Sequence, residues 1–156
     1  MVITSYSEKW AQAIADLFHQ SVHAIDSNVY TAEQKEAWAP TPPDYKFWSR
    51  RLNNKKPFVA IMNERVAGFI ELEPDGHIDC VYTHPDFQSH GVASALYEYL
   101  LMKAKCNGMQ RLYVEASIIA KAFFVKRGFS VVKKNEIKCK GITLVNFTME
   151  KNLSPD

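Results

Sequence analysis

The stretch VYTHPDFQSHGVASALYEYL, residues 81–100, constrains the fold more than any other part of the chain. It opens with residues typical of a strand, crosses a loop that contains Pro85 and Gly91, and continues with the apolar spacing of a helix. A strand that leads through a glycine-containing loop into a helix is a common unit of α/β domains. The stretch therefore predicts a strand–loop–helix unit with Gly91 at the start of the helix.

The segments around this unit also alternate between helix and strand. Apolar periodicity predicts a strand at VITSY and helices from Ser7 to about residue 24, over 31–38 and over 44–53. It then predicts strands at PFVAIM, RVAGFIEL and HIDCVYTH, a helix over 92–106, a strand at RLYVEAS, a helix at IIAKAFFVKR and two strands at FSVVKKNEIK and ITLVNFTME. This order predicts one α/β domain over residues 1–151, a mixed sheet with helices on both faces. Residues 152–156 are expected to form a loose tail.

Composition limits the class of protein. The chain has 156 residues, 47% of them hydrophobic, and a formal net charge of only +2. Because nucleic-acid-binding domains usually carry a clear basic surplus, we expect no nucleic-acid partner. No apolar run reaches the roughly 18 residues of a membrane span, and three cysteines without CxxC spacing do not form a secreted disulfide framework. We therefore expect a cytoplasmic protein without membrane contact, either a monomer or a homodimer.

The loop QSHGVA admits two interpretations. The first turn of a helix has free backbone N–H groups and the positive end of the helix dipole, so it binds phosphates, and Gly91 lets a ligand approach the backbone. Alternatively, Gly91 only permits a tight turn while Ser89 caps the helix. The pattern QxxGxA alone does not decide between these interpretations.

The surrounding residues favour the phosphate site through a family resemblance. IDCVYTHPDFQSHGVASALY resembles the strand, the [Q/R]xxGx[G/A] pyrophosphate loop and the helix of the GNAT superfamily of acetyl-CoA-dependent N-acetyltransferases. LYVEAS followed by AKAFFVKRGF is similar to the second motif of that superfamily, through Phe124, Lys126, Gly128 and Phe129. YTAEQKEAWAP and the final NFTME resemble its bacterial YafP-type subgroup. The resemblance implies the GNAT fold, a twisted, mostly antiparallel mixed sheet of about six or seven strands.

The resemblance also implies where acetyl-CoA would bind. Val81 and Thr83 occupy the strand positions that hydrogen-bond the pantetheine arm, and the backbone N–H of Val81 or Tyr82 would polarise the thioester carbonyl. The second motif would approach the coenzyme through Ser117, Ala120, Phe123, Phe124 and Lys126. The pyrophosphate loop corresponds to Gln88, Ser89, His90, Gly91, Val92, Ala93 and Ser94.

Two departures from the family pattern affect the chemistry. Ser89 and His90 replace the usual glycine and basic residue, so the charge at the pyrophosphate would be lower and sensitive to pH. Phe124 stands where many relatives carry a tyrosine that is thought to protonate the leaving thiolate. Tyr113 and Ser117 are the candidates to replace that acid, although a chain without it could still turn over.

Asp79 is the leading candidate for the general base. Strand alternation predicts that His77, Asp79 and Val81 share one face while Cys80 and Tyr82 share the other. Burial of Asp79 would raise its pKa toward a working value. Two further carboxylates, those of Glu71 and Glu115, and a relay of water and backbone groups remain alternatives.

The residues assigned to the acceptor side come from the helical region before PFVAIM and from RVAGFIEL, the strand before the one that carries Asp79. They are Tyr30, Trp38, Trp48 and Glu71. Aromatic side chains there would suit an aliphatic or cyclic amine. No metal site is expected. The expected function is transfer of the acetyl group of acetyl-CoA to a primary amine of a small molecule or peptide in a ternary complex. A non-catalytic CoA-binding module, or a transferase acting on charged tRNA or protein, is the alternative.

Overall fold

The computed structural model describes residues 1–153. Within them the strands are β1 Val2–Ser5, β2 Phe58–Met62, β3 Arg65–Leu72, β4 His77–Thr83, β5 Arg111–Ser117, β6 Ser130–Cys139 and β7 Ile142–Asn152. The α-helices are α1 Ala11–His23, α2 Ala32–Trp38, α3 Tyr45–Lys55, α4 Val92–Cys106 and α5 Lys121–Lys126, with short 3₁₀ turns at Glu8–Trp10 and Pro85–Phe87. None of the helices in this described part is long and apolar enough to cross a membrane.

The strands of residues 1–153 form one seven-stranded sheet in the order β1-β2-β3-β4-β5-β7-β6. Neighbouring strands are antiparallel except β4 and β5, which run parallel. The prediction of a mixed, mostly antiparallel sheet of about six or seven strands is therefore confirmed.

Helices cover both faces of the sheet and bury two apolar clusters. On one face, Leu96 and Leu100 of α4 and Phe124 of α5 pack against Ile70 and Ile78. The cluster on the other face joins α1 and α3 to the sheet, and its buried members are Ile14, Ala15, Leu17, Trp48, Leu52, Val59, Val66 and Phe69.

Local sequence signals explain where the helices of that second face begin. Thr31 and Gln34 exchange both bonds of a capping box, as TAEQ predicts, and Asp44 accepts a hydrogen bond from the Phe47 N–H at the start of α3. These caps orient α2 and α3, which carry most of the aromatic residues assigned to the acceptor side.

The parallel pairing of β4 and β5 is short. Within the described residues its register comprises His77 with Tyr113 and Ile78 with Val114. Beyond these pairs the two strands separate, and we call this point the fork. The fork leaves one edge of β4 without a strand partner over the part of the chain that the structure describes.

A β-bulge lies in β4 just past the fork. Ile70 pairs with Val81 but Leu72 pairs with Ile78, so Asp79 and Cys80 together stand opposite one residue of β3. The prediction of strict alternation is therefore wrong. Ile78 and Val81 pack into the cluster beneath α4, whereas Cys80 and Tyr82 pack into the opposite cluster.

The chain ends and the last helix also differ from the expectations. The loose tail predicted from residue 152 does not begin there, because Asn152 belongs to β7 and Leu153 is buried with its N–H donating to the Gln110 carbonyl. The rest of that tail, 154–156, lies outside the described residues. Helix α5 begins at Lys121 rather than at Ile118, because Ile118 and Ile119 form an exposed turn after β5.

Candidate active site

A cavity of about 800 Å³ opens at the fork, between the separated strands and the helices α1 to α3. The residues predicted from sequence that line it are Tyr30, Trp38, Trp48, Asp79, Val81, Tyr82, Ser117, Ala120 and Phe124. The cavity lining within residues 1–153 does not include Glu71, Thr83, Phe123, Lys126 or the predicted pyrophosphate loop, residues 88–94. The fork therefore brings together the predicted catalytic residues and the predicted aromatic residues of the acceptor side, while the predicted pyrophosphate loop lies outside this space.

The backbone of β4 presents polar groups to this space. The His84 N–H donates to the Ala67 carbonyl of β3 at 2.8 Å. Because amides alternate in direction along a strand, the Tyr82 amide also points toward β3, while the amides of Val81 and Thr83 point to the open edge. Of the two amides predicted to polarise the thioester, only that of Val81 faces the fork.

The loop before α4 leaves backbone donors exposed. Gln88, Ser89, His90 and Gly91 are all exposed, and both Ser89 and Gly91 have positive φ angles, 65° and 74°. The helical bonding begins with the Ala95 N–H and the Gly91 carbonyl, so the amides of the preceding turn have no intrahelical acceptor. Among the described residues no side chain caps α4, which contradicts the alternative in which Ser89 caps the helix. A bound phosphate would fit these free donors.

Arg127 adds positive charge beside that loop. Its Nη2 donates to the Ser94 hydroxyl at 2.5 Å, and its guanidinium carbon lies 3.5 Å from the centre of the Phe123 ring. Lys126, which the family pattern suggested, is exposed and lies outside the cavity lining of the described chain. A step of one residue rotates a helical side chain by about 100°, so only one of two consecutive residues faces α4. In the sequence, the cation that lies beside α4 is visible as Arg127, the residue after Lys126 in KRGF.

The two candidate acids occupy different places. The Ser117 hydroxyl lines the cavity and accepts a hydrogen bond from the Ala120 N–H at 3.1 Å. Tyr113 instead donates to Asp75 in the β3–β4 turn, and this bond raises the Tyr113 pKa to about 12. Tyr113 is therefore unsuited to the role of acid, whereas Ser117 stays a candidate. Phe124 is fully buried and brings no polar group to the cavity.

The aromatic wall combines structural and accessible residues. The Tyr30 hydroxyl accepts from the Ile118 N–H at 2.9 Å and donates to the Val145 carbonyl at 3.1 Å, so it ties α2 to the far side of the fork. Trp48 is almost completely buried against Phe18. Trp38 is half-buried and packs edge to face against Tyr30, which leaves it the best placed of the three to contact a substrate.

Asp79 is held by two cations. Its Oδ2 lies 2.9 Å from Arg51 Nη2 and 3.0 Å from Lys55 Nζ. Burial acts to raise the Asp79 pKa, but the Lys55 hydrogen bond and the charges of both cations outweigh it and hold that pKa below its ordinary value. The expectation of a raised pKa is therefore wrong, because α3 supplies partners that strand patterning does not reveal.

Glu71 lies beneath Arg51 and has no exposed surface. Arg51 Nη2 donates to it at 2.6 Å, and burial raises the Glu71 pKa although Arg51 opposes the change. Because Arg51 covers it, Glu71 does not contact the cavity, contrary to its assignment as a substrate-binding residue.

His77 completes a continuous set of polar contacts around the fork. Its Nδ1 lies 2.6 Å from Glu73 and its Nε2 lies 2.7 Å from Glu115, and Glu73 in turn meets Lys55 at 3.0 Å. We call the connected residues the fork network, which consists of Glu115, His77, Glu73, Lys55, Asp79, Arg51 and Glu71. In two groups of neighbouring side chains, Glu71-Asp79-Cys80 and Glu73-His77-Asp79, one polar atom of each residue lies within 4.8 Å of the others. Arg51 and Lys55 already supply cations to these carboxylates.

Sequence reasoning missed both cations of this network. Arg51 and Lys55 are four residues apart on α3, a spacing that places two side chains on the same helix face. That spacing is the one signal in the sequence, but nothing local indicates that this face meets β4.

Comparison with known proteins adds to this geometry. The chain matches the family described as Acetyltransferase (GNAT) domain over residues 26–151. It is 33% identical over 147 residues to YafP, an uncharacterized N-acetyltransferase of Escherichia coli strain K12, and the match covers 94% of this chain and 93% of the relative.

Solved structures agree with that match. A GCN5-related N-acetyltransferase from Rhodopseudomonas palustris, also described as aminotransferase, class II, superposes with a TM-score of 0.91 and 32% identity over 97% of this chain and 95% of its own. The PaiA N-acetyltransferase from Thermoplasma acidophilum, solved in complex with coenzyme A, has a TM-score of 0.74 at 17% identity, over 98% of this chain and all (100%) of its own, and so shares the fold.

Proposed function

The chain belongs to the GNAT acetyltransferase family and is an acyl-CoA-dependent acetyltransferase, and we propose that it transfers the acetyl group of acetyl-CoA to the primary amine of a small molecule. The observation that carries the proposal is the fork, where the open edge of β4 borders an aromatic cavity, and β4 leads from there into the loop before the free amides of α4. We further propose that the protein works in the cytoplasm as a monomer or homodimer.

The donor would lie along the open edge of β4. Its diphosphate would accept hydrogen bonds from the amides at the start of α4, with Arg127 close enough to add a charge-assisted bond. Its pantetheine arm would follow the outward-facing backbone groups of Val81 and Thr83. The Val81 amide would then donate to the thioester oxygen as negative charge develops there.

The acceptor would enter from the α2 and α3 side and attack the thioester in a ternary complex. Its ammonium must lose a proton first, and a pKa near 10.4 makes this cost about 4 kcal/mol at neutral pH. Protonation of the leaving thiolate, with a pKa of roughly 8.5, is a smaller demand of about 2 kcal/mol. A base therefore matters more than an acid, so an enzyme with Phe124 at the acid position can still turn over.

The half-buried Trp38 and the apolar wall around it favour a compact amine with a hydrophobic body over an extended polar chain. We propose that this wall sets acceptor selectivity. A panel of putrescine, tryptamine, kanamycin and a lysine-containing peptide separates these classes when CoA release is followed with a thiol reagent.

The donor site is tested with Gly91→Glu and its matched control Gly91→Ala. A glutamate adds both bulk and negative charge at the predicted diphosphate position, so calorimetry should detect no acetyl-CoA binding. The alanine control meets nothing within 4 Å and should still bind, although its positive φ costs about 1–2 kcal/mol of stability. Wild-type affinity in Gly91→Glu would contradict this placement of the donor.

A non-catalytic CoA sensor is the second candidate, and the buried Phe124 at the usual acid position is the observation that favours it. Tight acetyl-CoA binding without CoA release from any amine of the panel would support the sensor. Amine-dependent CoA release would support the enzyme.

A further inference from the structure

The side chain of His77 lies at the base of the fork between two carboxylates. His77 belongs to the pairs that precede the separation of β4 and β5, and Glu115 is the first residue of β5 beyond them. The imidazole contacts Glu73 through Nδ1 at 2.6 Å and Glu115 through Nε2 at 2.7 Å. Its ring also stacks on Tyr113 with centroids 4.7 Å apart. Both nitrogens are thus engaged and the ring orientation is fixed.

This arrangement reaches the cavity through Glu115. Both His77 and Glu115 line the cavity, and the Glu115 side chain is 42% exposed whereas that of His77 is 16% exposed. A substrate amine can therefore approach Glu115 directly, while His77 lies behind it.

The surrounding charges favour an added proton on His77. The groups around it are Glu73 and Asp75 after β3, Glu115 and Tyr113 on β5, Asp79 on β4 and, through Glu73, Lys55 on α3. Burial acts to lower the His77 pKa, but the hydrogen bonds to Glu73 and Glu115 outweigh it, so the pKa lies above its ordinary value of 6.5. The same hydrogen bonds therefore stabilise a proton on His77 once it has arrived.

The pKa of Asp79, which lies past the base of the fork on β4, is shifted in the opposite direction to that of His77. Arg51 and Lys55 both bind the same Asp79 oxygen, and they lower its pKa against the effect of burial. Taking a proton from an ammonium would weaken both ion pairs. The two sides of the fork therefore differ in basicity even though each carries a carboxylate.

We propose that Glu115 removes the proton from the acceptor ammonium and that His77, oriented by Glu73, stores it. This inference rests on the proposed acetyl transfer and assigns its base. One N–H bond of the ammonium breaks as Glu115 Oε2 accepts that proton, and the same proton then passes from Oε2 to Nε2 of a neutral His77, which becomes an imidazolium. The lone pair freed on the amine nitrogen forms the C–N bond to the acetyl group while the C–S bond of the thioester breaks. A second nitrogen proton goes to the thiolate, and the imidazolium proton returns to water after release. Glu115 is thus the catalytic residue, and His77 and Glu73 are positioning residues.

The kinetic test compares Glu115→Gln, His77→Gln and Glu73→Gln across pH 6 to 10, with the fastest amine of the panel above. The Glu115→Gln and His77→Gln variants should lose about 100-fold in kcat/KM at pH 7 and recover as pH rises and free amine accumulates. In Glu73→Gln, kcat/KM should still rise with pH, but the rise should occur at lower pH. The reason is that this change removes one of the interactions that raise the His77 pKa. Glu150→Gln makes the same chemical change at an exposed surface pair with Arg111 and should behave as wild type.

Two further measurements separate the possible failures. Acetyl-CoA affinity should be unchanged in all four variants, which shows that they are folded. In the protein without ligand, NMR titration of the His77 ring should give a pKa above 6.5 that falls in Glu115→Gln. Wild-type kcat/KM and pH profile in Glu115→Gln, or a His77 pKa that this change leaves in place, would overturn the relay alone. A wild-type protein that neither binds acetyl-CoA nor releases CoA would overturn the proposed function itself.

Discussion

Around the start of α4 the protein offers backbone amides that are exposed, whereas at the fork it offers side chains that are already bonded to one another. The loop from Gln88 to Gly91 owes its character to backbone direction and to two positive φ angles. The fork network instead joins side chains from α3, β3, β4, β5 and the turn after β3. Backbone donors suit the invariant diphosphate of a donor, while a side-chain network can be adapted to a particular acceptor.

The largest effect is expected from a substitution that breaks the fork network at its most buried point. Arg51→Met removes the partner of Glu71, whose Oε2 already has no hydrogen-bond partner among residues 1–153. Leaving a buried carboxylate unpaired should cost about 3–5 kcal/mol in the free energy of unfolding, measured with urea. Arg50→Met, one residue away and exposed, is the control and should change stability by less than about 0.5 kcal/mol. Equal stabilities of the two variants would mean that the network contributes little to the fold.

A smaller effect is expected at the donor end. Arg127→Gln removes the charge beside Ser94 and should weaken acetyl-CoA binding about tenfold at low salt, corresponding to ~1.4 kcal/mol. The loss should shrink at high ionic strength because salt screens the interaction. Lys126→Gln removes the same charge from the neighbouring exposed position, and calorimetry should find its affinity close to wild type. A larger loss of acetyl-CoA affinity in Lys126→Gln than in Arg127→Gln would support the assignment of Lys126 that the family resemblance implied.

The smallest expected effect is a pH dependence of stability that belongs to the fork alone. Because the folded-state pKa of His77 is raised, its stabilising contribution is complete below pH 6.5 and disappears as pH rises through the folded value. The stability difference between wild type and His77→Gln should therefore be greatest near pH 6 and decrease by pH 8.5. Urea unfolding at several pH values measures this difference. A difference that grows with pH would contradict a raised pKa.

The contrast between the start of α4 and the fork also explains what the sequence could predict. The strand, loop and helix around Gly91 are local, so periodicity and one glycine were enough to predict α4 with its correct bounds. The partners of Asp79 lie up to 28 residues earlier in the chain, on another element, so strand patterning led to the wrong sign for its pKa shift. The bulge at Asp79 and Cys80 has no sequence signal in HIDCVYT. It puts Ile78 and Val81 in the same cluster against the predicted alternation, although Val81 still lies opposite Cys80 and Tyr82 as predicted.

That bulge has a consequence for how such a site can change. It shifts the phase of β4 by one residue, so the strand is divided into two independently placed halves. The half before it carries His77, and the half after it directs the Val81 amide to the open edge where we propose that the donor lies. Substitutions in one half need not disturb the geometry of the other. A strand built this way can acquire a new acceptor chemistry while its donor edge stays where it is.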